Sequence, residues 1–316
     1  MSWFLAAVTT AWLTAAAAMA LLLLPVAAVA RLLPIRLSRL AAVLWAAVGA
    51  AGVLCAVSVV LNLPTWATHH LQYTPHLERP LPHFCLAEAV RLLGEGSLRV
   101  ASLVALLLWL LGLGRLFLSA VRSMSLARSL AATAVPLSNP FSPRVFSVSA
   151  DSAGAGNAFS PRTVGFFRPM VVVPAAAVGH IPPEAAAAVL LHELDHAYWR
   201  DPATALALSA LAWTFPGLGL VILRQWRVYS ERAADVAAAR RAGSGALAQA
   251  LALSGRYDVR NRHGISVADA VLDRSSPALA AAIGWLLLLI AGWPVVYPRL
   301  LMTLVCTFET TASVWR

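Results

Sequence analysis

The segment LLHELDHAYWRD, residues 190–201, concentrates histidine and acidic residues in a chain that is 60% hydrophobic and only 12% charged. His192 and His196 are four residues apart, so in a helix their rings lie on one face, one turn from each other. Two neutral imidazoles at this spacing bind zinc, and Glu193 beside them can act as the general base toward water. The alternative interpretation is an amphipathic helix whose histidines are incidental.

A catalytic zinc ion needs a third protein ligand and keeps a fourth position for water. The segment RVYSERAADVAAARR contains Glu231 and Asp235, again four residues apart. Besides Glu193, the segment predicted to be cytoplasmic contains two glutamates, Glu184 and Glu231. Glu184 lies two turns before His192 on the same helix, too far away to share its metal, so we predict that Glu231 is the third ligand. Asp235 is a candidate acceptor for the second ring N–H of a ligand histidine. Taken alone, Glu231 could equally form a salt bridge with a neighbouring arginine.

The histidine segment must be helical for this geometry to arise. A helix is expected to begin near Pro182 or Pro183, because proline suits the first helical position, and to end near Trp199. Before this helix, the segments RVFSVS and PMVVVP are predicted strands, since each is rich in strand-forming residues and bounded by proline or small polar residues.

The apolar segment 203–223 separates the two halves of the predicted metal site. A single membrane crossing here would place Glu231 on the side opposite to His192. Only 13 residues precede Pro216-Gly217 in this segment. They form about 20 Å of helix, against a hydrocarbon core of about 30 Å. We therefore predict a helical hairpin or re-entrant dip, broken at Pro216-Gly217, that returns to the side on which it began.

The rest of the chain is typical of an integral membrane protein, with a mean hydropathy of +0.75. Four apolar runs are long enough to cross a bilayer, at residues 3–30, 40–63, 101–118 and 278–296. The three cysteines form no paired-cysteine motif, so neither a disulfide framework nor a cysteine metal site is expected.

The basic residues, all of them arginine, predict the orientation of these spans. Loop 31–39 has three arginines and no acidic residue, which places it in the cytoplasm and the N-terminus outside. Loop 64–100 balances three arginines with three glutamates, whereas residues 115–277 contain sixteen arginines and are predicted to be cytoplasmic. Because these arginines are scattered, the net charge of +10 does not indicate direct nucleic-acid binding.

These patterns predict a mainly α-helical, polytopic membrane protein with a small α+β zinc peptidase domain in its cytoplasmic part. Residues 1–118 form a membrane region with three transmembrane helices and an external loop at about 64–100. Residues 119–277 form the metallopeptidase domain, including the hairpin at about 203–223. Residues 278–316 supply the fourth transmembrane helix and a short external tail.

The chain contains the segments AFSPRTVGFFRPMVVVP, LLHELDHAYWRD and WTFPGLGLVILRQWRVYSERAAD. Together with the number of spans, they resemble the membrane zinc peptidases of the BlaR/MecR type, the beta-lactam sensor and antirepressor family. The resemblance covers roughly residues 100–240 by motif and the earlier spans by topology only. It implies a gluzincin fold in which His192, His196 and Glu231 bind zinc. Glu193 would then activate water.

The resemblance also implies a cytoplasmic substrate, typically a winged-helix transcriptional repressor. Sensors of that type carry an external penicillin-binding domain after the last span, whereas this sequence ends at Arg316, so direct sensing of beta-lactams by acylation is not expected. The expected function is an integral-membrane zinc endopeptidase that cleaves or inactivates such a repressor in signal transduction, including antibiotic responses.

A substrate strand is expected to pair with a sheet edge near Val171 to Val173. Two alternatives to the signalling peptidase remain open. One is a catalytically inert membrane scaffold that holds a repressor, and the other is a quality-control protease for membrane proteins, which would share the chemistry but not the partner.

Overall fold

The computed structural model describes five stretches of the chain, residues 2–73, 86–136, 145–148, 161–174 and 181–253. The predicted fourth span and the tail after it lie outside these stretches. Within them the protein is mainly helical and contains one small sheet, which confirms the mainly α-helical character expected from the sequence.

Three long apolar helices come first, namely α1 (Ser2–Leu32), α2 (Ser38–Tyr73) and α3 (Leu86–Thr133). A short 3-10 turn over Ile35–Leu37 joins α1 to α2. Within the described residues, three segments are long and apolar enough to cross a membrane, namely Ala11–Leu32, Ile35–Val57 and Val100–Thr133. Each overlaps one of the first three apolar runs of the sequence.

The helices extend beyond the apolar runs from which they were predicted. Because α2 continues to Tyr73 and α3 begins at Leu86, much of the predicted external loop 64–100 is helical. α3 also continues to Thr133, past the predicted domain boundary at residue 118. The predicted boundaries followed hydropathy, whereas ordinary polar residues differ only slightly from apolar ones in helix propensity and do not end a helix.

A four-stranded sheet follows α3, formed by β1 (Val135–Pro136), β2 (Val145–Val148), β3 (Arg162–Val164) and β4 (Met170–Pro174). The strand order is β1-β2-β4-β3, with β4 parallel to β2 and antiparallel to β3. β2 and β4 confirm the predicted strands RVFSVS and PMVVVP. β1 and β3 were not predicted, because two or three residues are too few to show an alternating pattern.

The expectation that a substrate would pair along Val171 to Val173 is wrong, because β4 is an internal strand of the sheet. Val171 is aligned with Val145 on one side and with Thr163 on the other. Its side chain is fully buried, as is typical of a strand with neighbours on both sides. Among the described residues, β3 forms the edge of the sheet on that side.

Four further helices complete the described fold, namely α4 (Pro183–Tyr198), α5 (Asp201–Thr214), α6 (Leu218–Ala242) and α7 (Ser244–Leu253). The bounds of α4 confirm the predicted histidine helix to within one residue.

The predicted break at Pro216-Gly217 separates α5 from α6, and the two helices form a hairpin. Gly217 has a φ of 100°, a conformation that glycine adopts at little cost. At Gly219, a Cβ atom would lie 2.5 Å from the carbonyl oxygen of Leu211, so the two helices approach closely only because this residue is glycine.

The hairpin and the long helices share one hydrophobic core. Buried side chains of this core come from α1, α2, α5 and α6, including Met19, Trp45, Leu211 and Ile222. The tip of the hairpin is also held by a hydrogen bond, because the indole of Trp12 on α1 donates to the carbonyl of Thr214 at 3.0 Å. This bond satisfies one of the carbonyl groups that the end of a helix leaves without an intrahelical donor.

Candidate metal centre

α4 carries the two histidines and is held on two sides. Ala185, Ala188 and Leu191 are buried against α7 and the end of α6, and Leu190 and Leu194 pack against the buried valines of the sheet. This packing leaves the histidine side of α4 facing the middle of α6, where His192 lies beside acidic side chains of that helix.

The predicted ligands converge at this helix contact. The Nε2 atoms of His192 and His196 are 3.2 Å apart. Glu231 reaches them from α6, with one carboxylate oxygen 3.6 Å from His192 Nε2 and the other 3.8 Å from His196 Nε2. The three potential ligand atoms all lie within 4.8 Å of one another, so this group could hold a metal ion. The His192 side chain is buried and that of His196 is 12% exposed, whereas that of Glu231 is 58% exposed.

The separations of these atoms can be compared with those around a tetrahedral metal ion. Donor atoms bound at about 2.1 Å in tetrahedral geometry lie about 3.4 Å from one another. The two Nε2 atoms, 3.2 Å apart, are close to this value. The contacts of 3.6 and 3.8 Å are made by the two different oxygens of Glu231, so one of these oxygens must move closer to both histidines to share an ion with them. Two imidazoles and one carboxylate are also a donor set that leaves a fourth position for water.

Asp235 lies behind His192, as the sequence suggested. Its Oδ1 atom is 2.9 Å from His192 Nδ1, which leaves the Nε2 atom directed toward the metal position. Burial lowers the pKa of His192, but the nearby carboxylates of Asp235 and Glu231 raise it more strongly, to about 10. In the metal-free protein His192 is therefore protonated at neutral pH, and a metal ion must displace this proton in order to bind.

A second carboxylate lies behind His196. The Oδ2 atom of Asp201, the first residue of α5, is 2.7 Å from His196 Nδ1. The hydroxyl of Ser230 on α6 donates a hydrogen bond to the same oxygen. Burial raises the pKa of Asp201, but its hydrogen bonds with His196 and Ser230 and the charge of Arg39 hold that pKa below its usual range. Asp201 is therefore a buried, ionised partner of His196.

Arg39 completes this group from a distant part of the chain. Its Nη1 atom donates to both carboxylate oxygens of Asp201 at 2.9 Å, and its Nη2 atom donates to Asp195 of α4. The guanidinium also lies 5.2 Å from the centre of the Trp199 ring. In the sequence, Arg39 contributes only to the prediction of membrane orientation, and no local pattern relates it to Asp195 and Asp201, which lie more than 150 positions away.

Glu193 lies against the edge strand of the sheet. The hydroxyl of Thr163 on β3 is 2.8 Å from both the Oε2 atom and the backbone oxygen of Glu193. Because a hydroxyl carries one proton, Thr163 donates to one of these acceptors at a time. The carboxylate of the candidate general base is therefore held at β3, and its charge acts on the neighbouring His192. Thr163 lies inside a segment that the sequence singled out, but nothing there indicated its contact with Glu193.

No protein-family model, curated protein sequence or solved structure matches this chain significantly.

Proposed function

We propose that this protein is an integral-membrane zinc metalloendopeptidase. The observation that carries the proposal is the convergence of His192, His196 and Glu231 from two helices, with Glu193 beside them. An incidental pair of helical histidines gives no reason for a glutamate from another helix to approach both Nε2 atoms. Nor does it explain why each Nδ1 atom faces a carboxylate.

The side chains have separate roles in this proposal. The Nε2 atoms of His192 and His196 and the carboxylate of Glu231 hold the metal. When bound, zinc polarises the carbonyl group of a scissile peptide and makes a coordinated water more acidic. Glu193 accepts the proton of the attacking water and returns a proton to the leaving amine. Thr163 orients the Glu193 carboxylate for this transfer.

We propose that an extended peptide substrate adds to the sheet at β3. Among the described strands, β3 is the edge strand on the side of β4, and Thr163 places it in contact with Glu193. A peptide paired with this strand would pass close to the general base, and its backbone hydrogen bonds would bind it without a demand for one particular sequence.

The resemblance to the BlaR/MecR type supplies the proposed biological substrate. We propose a cytoplasmic winged-helix repressor, which the peptidase cleaves or inactivates so that its target genes are expressed. The three helices able to cross a membrane agree with a membrane location for this activity.

The test is Glu193→Gln, made in the full chain and compared with wild type for zinc content and for processing of cellular proteins. We expect one zinc per chain in both proteins. Proteolysis should fall by at least about 100-fold in the variant, because the general base is lost while the ligands remain. Profiling of protein N-termini in cells carrying either form identifies the substrates as fragments that only the wild type produces.

Glu184→Gln is the matched control, because it makes the same chemical change at an exposed position in the first turn of the same helix. It should retain both zinc and proteolysis. Absence of zinc from the wild-type chain contradicts the proposal. Full repressor processing by Glu193→Gln would instead favour the inert scaffold.

A further inference from the structure

Arg39 is the point at which a candidate membrane span reaches the metal centre. It is the second residue of α2 and belongs to the span Ile35–Val57. Its guanidinium joins this helix to α4 through Asp195 and to α5 through Asp201. Both carboxylates flank the helix end that carries His196.

Asp201 is the shared element of this network. Its Oδ2 atom accepts hydrogen bonds from Arg39, Ser230 and His196, so one carboxylate oxygen is contacted from α2, α6 and α4. A shift of Arg39 relative to Asp201 therefore changes the hydrogen bonds of the oxygen that orients the His196 ring.

Burial makes this contact energetically significant. The side chain of Arg39 is 15% exposed and that of Asp201 is 8% exposed. Exposed ion pairs contribute little and adapt easily when one partner moves. A buried carboxylate that loses its cation, in contrast, is left with an uncompensated charge, which is strongly unfavourable. Asp201 must then change its contacts, which alters its hydrogen bond with His196.

We propose that Arg39 is a positioning residue through which α2 controls the affinity and geometry of the metal centre. This inference rests on the proposed function, because it takes His196 to be a metal ligand. When Arg39 donates hydrogen bonds to Asp195 and Asp201, Asp201 holds the His196 ring with its Nε2 atom directed toward the metal. Loss of the guanidinium from these two carboxylates weakens the site. The first turn of α2 and the metal centre are thus coupled through Arg39.

The experiment measures metal binding by the full chain in lipid nanodiscs, with Zn²⁺ and Co²⁺ as the probes. The zinc dissociation constant is determined by competition with a chelator, and the visible absorption of bound Co²⁺ reports the ligand geometry. Arg39→Gln should raise the zinc dissociation constant by about 10- to 100-fold, the usual effect of losing an outer partner of a metal ligand. It should also shift the Co²⁺ spectrum, which a purely structural role far from the metal would leave unchanged.

Two further variants define the specificity of the effect. Arg39→Lys should give an intermediate dissociation constant, because an ammonium group does not reproduce the planar fork that contacts two carboxylates together. Arg31→Gln is the matched control, since Arg31 is an exposed arginine at the end of α1, and it should leave both measurements at wild-type values.

A double-mutant cycle with Asp201→Asn tests whether Arg39 acts through Asp201. We expect the double variant to lose about as much zinc affinity as Asp201→Asn alone, because residues of one network are not additive. Additive losses in the double variant would contradict this route.

The outcomes separate this inference from the proposed function. A wild-type chain that binds no zinc overturns the proposed function itself. A wild type that binds zinc while Arg39→Gln shows the same dissociation constant and Co²⁺ spectrum overturns only the coupling. If Arg39→Gln fails to fold, the test rests on Arg39→Lys. A wild-type zinc dissociation constant and a wild-type Co²⁺ spectrum in that variant would contradict the proposal.

Discussion

Glu231 differs from the two histidines in how firmly the protein holds it. Each histidine is largely shielded from solvent and has a carboxylate at its Nδ1 atom, whereas the Glu231 side chain is 58% exposed. The histidine rings are therefore oriented before a metal arrives. Glu231 approaches both Nε2 atoms at 3.6 to 3.8 Å and needs only a small adjustment to bind an ion placed between them.

Substitutions of Glu231, the proposed ligand, and of Asp235, which contacts a ligand from behind, should therefore affect zinc binding differently. Glu231→Ala removes one of three ligands, and we expect less than stoichiometric zinc after dialysis. Asp235→Asn keeps all three ligands and should retain zinc with an affinity reduced by about 10- to 100-fold. Metal analysis and chelator competition on the two proteins distinguish these results. Stoichiometric zinc in Glu231→Ala would refute its assignment as the third ligand.

At the level of helices and strands, local patterns predicted the elements that carry the ligands. The spacing of His192 and His196, the prolines around α4 and the break at Pro216-Gly217 are all short-range signals, and the structure has these features where they were predicted. Glu231 could be selected because the sequence offers few glutamates near the histidines.

The parts that escaped prediction depend on contacts between distant residues. β3 has three residues and forms a strand because β4 offers it a partner, so its own sequence shows no periodicity. Arg39 and Asp201 are 162 positions apart, and their ion pair exists only because α2 packs beside the hairpin. Long-range ion pairs of this kind leave no trace in local spacing.

The close contact between α5 and α6 gives a test of the hairpin. In Gly219→Ala the new methyl group would lie 2.5 Å from the Leu211 oxygen and 2.7 Å from Ala212 Cα. Both are backbone atoms that cannot rotate away, so the helices must separate. We expect a loss of about 1 to 3 kcal/mol in stability, the usual cost of overpacking. Zinc affinity should also fall, because α6 carries Glu231.

Gly245→Ala is the control for this prediction, because a Cβ atom there has nothing within 4 Å. Its melting temperature and zinc dissociation constant should match those of wild type. If Gly219→Ala also behaves as wild type in both measurements, the close approach of the two helices is not needed for the metal centre.

Across the whole molecule, the hairpin runs alongside the candidate spans. α5 begins at Asp201 beside Arg39 and ends at Thr214, where Trp12 donates its hydrogen bond. Arg39 and Trp12 lie far apart along the α1 and α2 pair, because a short turn joins these helices near Arg39 and Trp12 lies about 30 Å before the end of α1. With 14 residues, α5 is about 20 Å long, shorter than a hydrocarbon core of about 30 Å. α6 then returns toward Arg39, so both halves of the metal site lie at the same end of the bundle.

This arrangement predicts that three exposed positions lie on one side of the membrane. They are Arg31 at the end of α1, Tyr198 at the end of α4 and Arg240 near the end of α6. Each is changed to cysteine in a chain whose three native cysteines are replaced by serine. An impermeant thiol reagent should label none of them in intact cells and all of them in inverted membrane vesicles, since the arginine distribution predicts that this side is cytoplasmic.

A cysteine at position 76, in the loop that the sequence predicts to be external, is the reference for the other side of the membrane and should be labelled in intact cells.

Labelling of position 240 from the side opposite to positions 31 and 198 would mean that the segment between α4 and α6 crosses the membrane. Glu231 could then not share a metal with His192 and His196. Labelling of positions 31, 198 and 240 together from outside would leave the metal centre intact and reverse only the orientation. The peptidase would then face external proteins, and a cytoplasmic repressor would be excluded as its substrate.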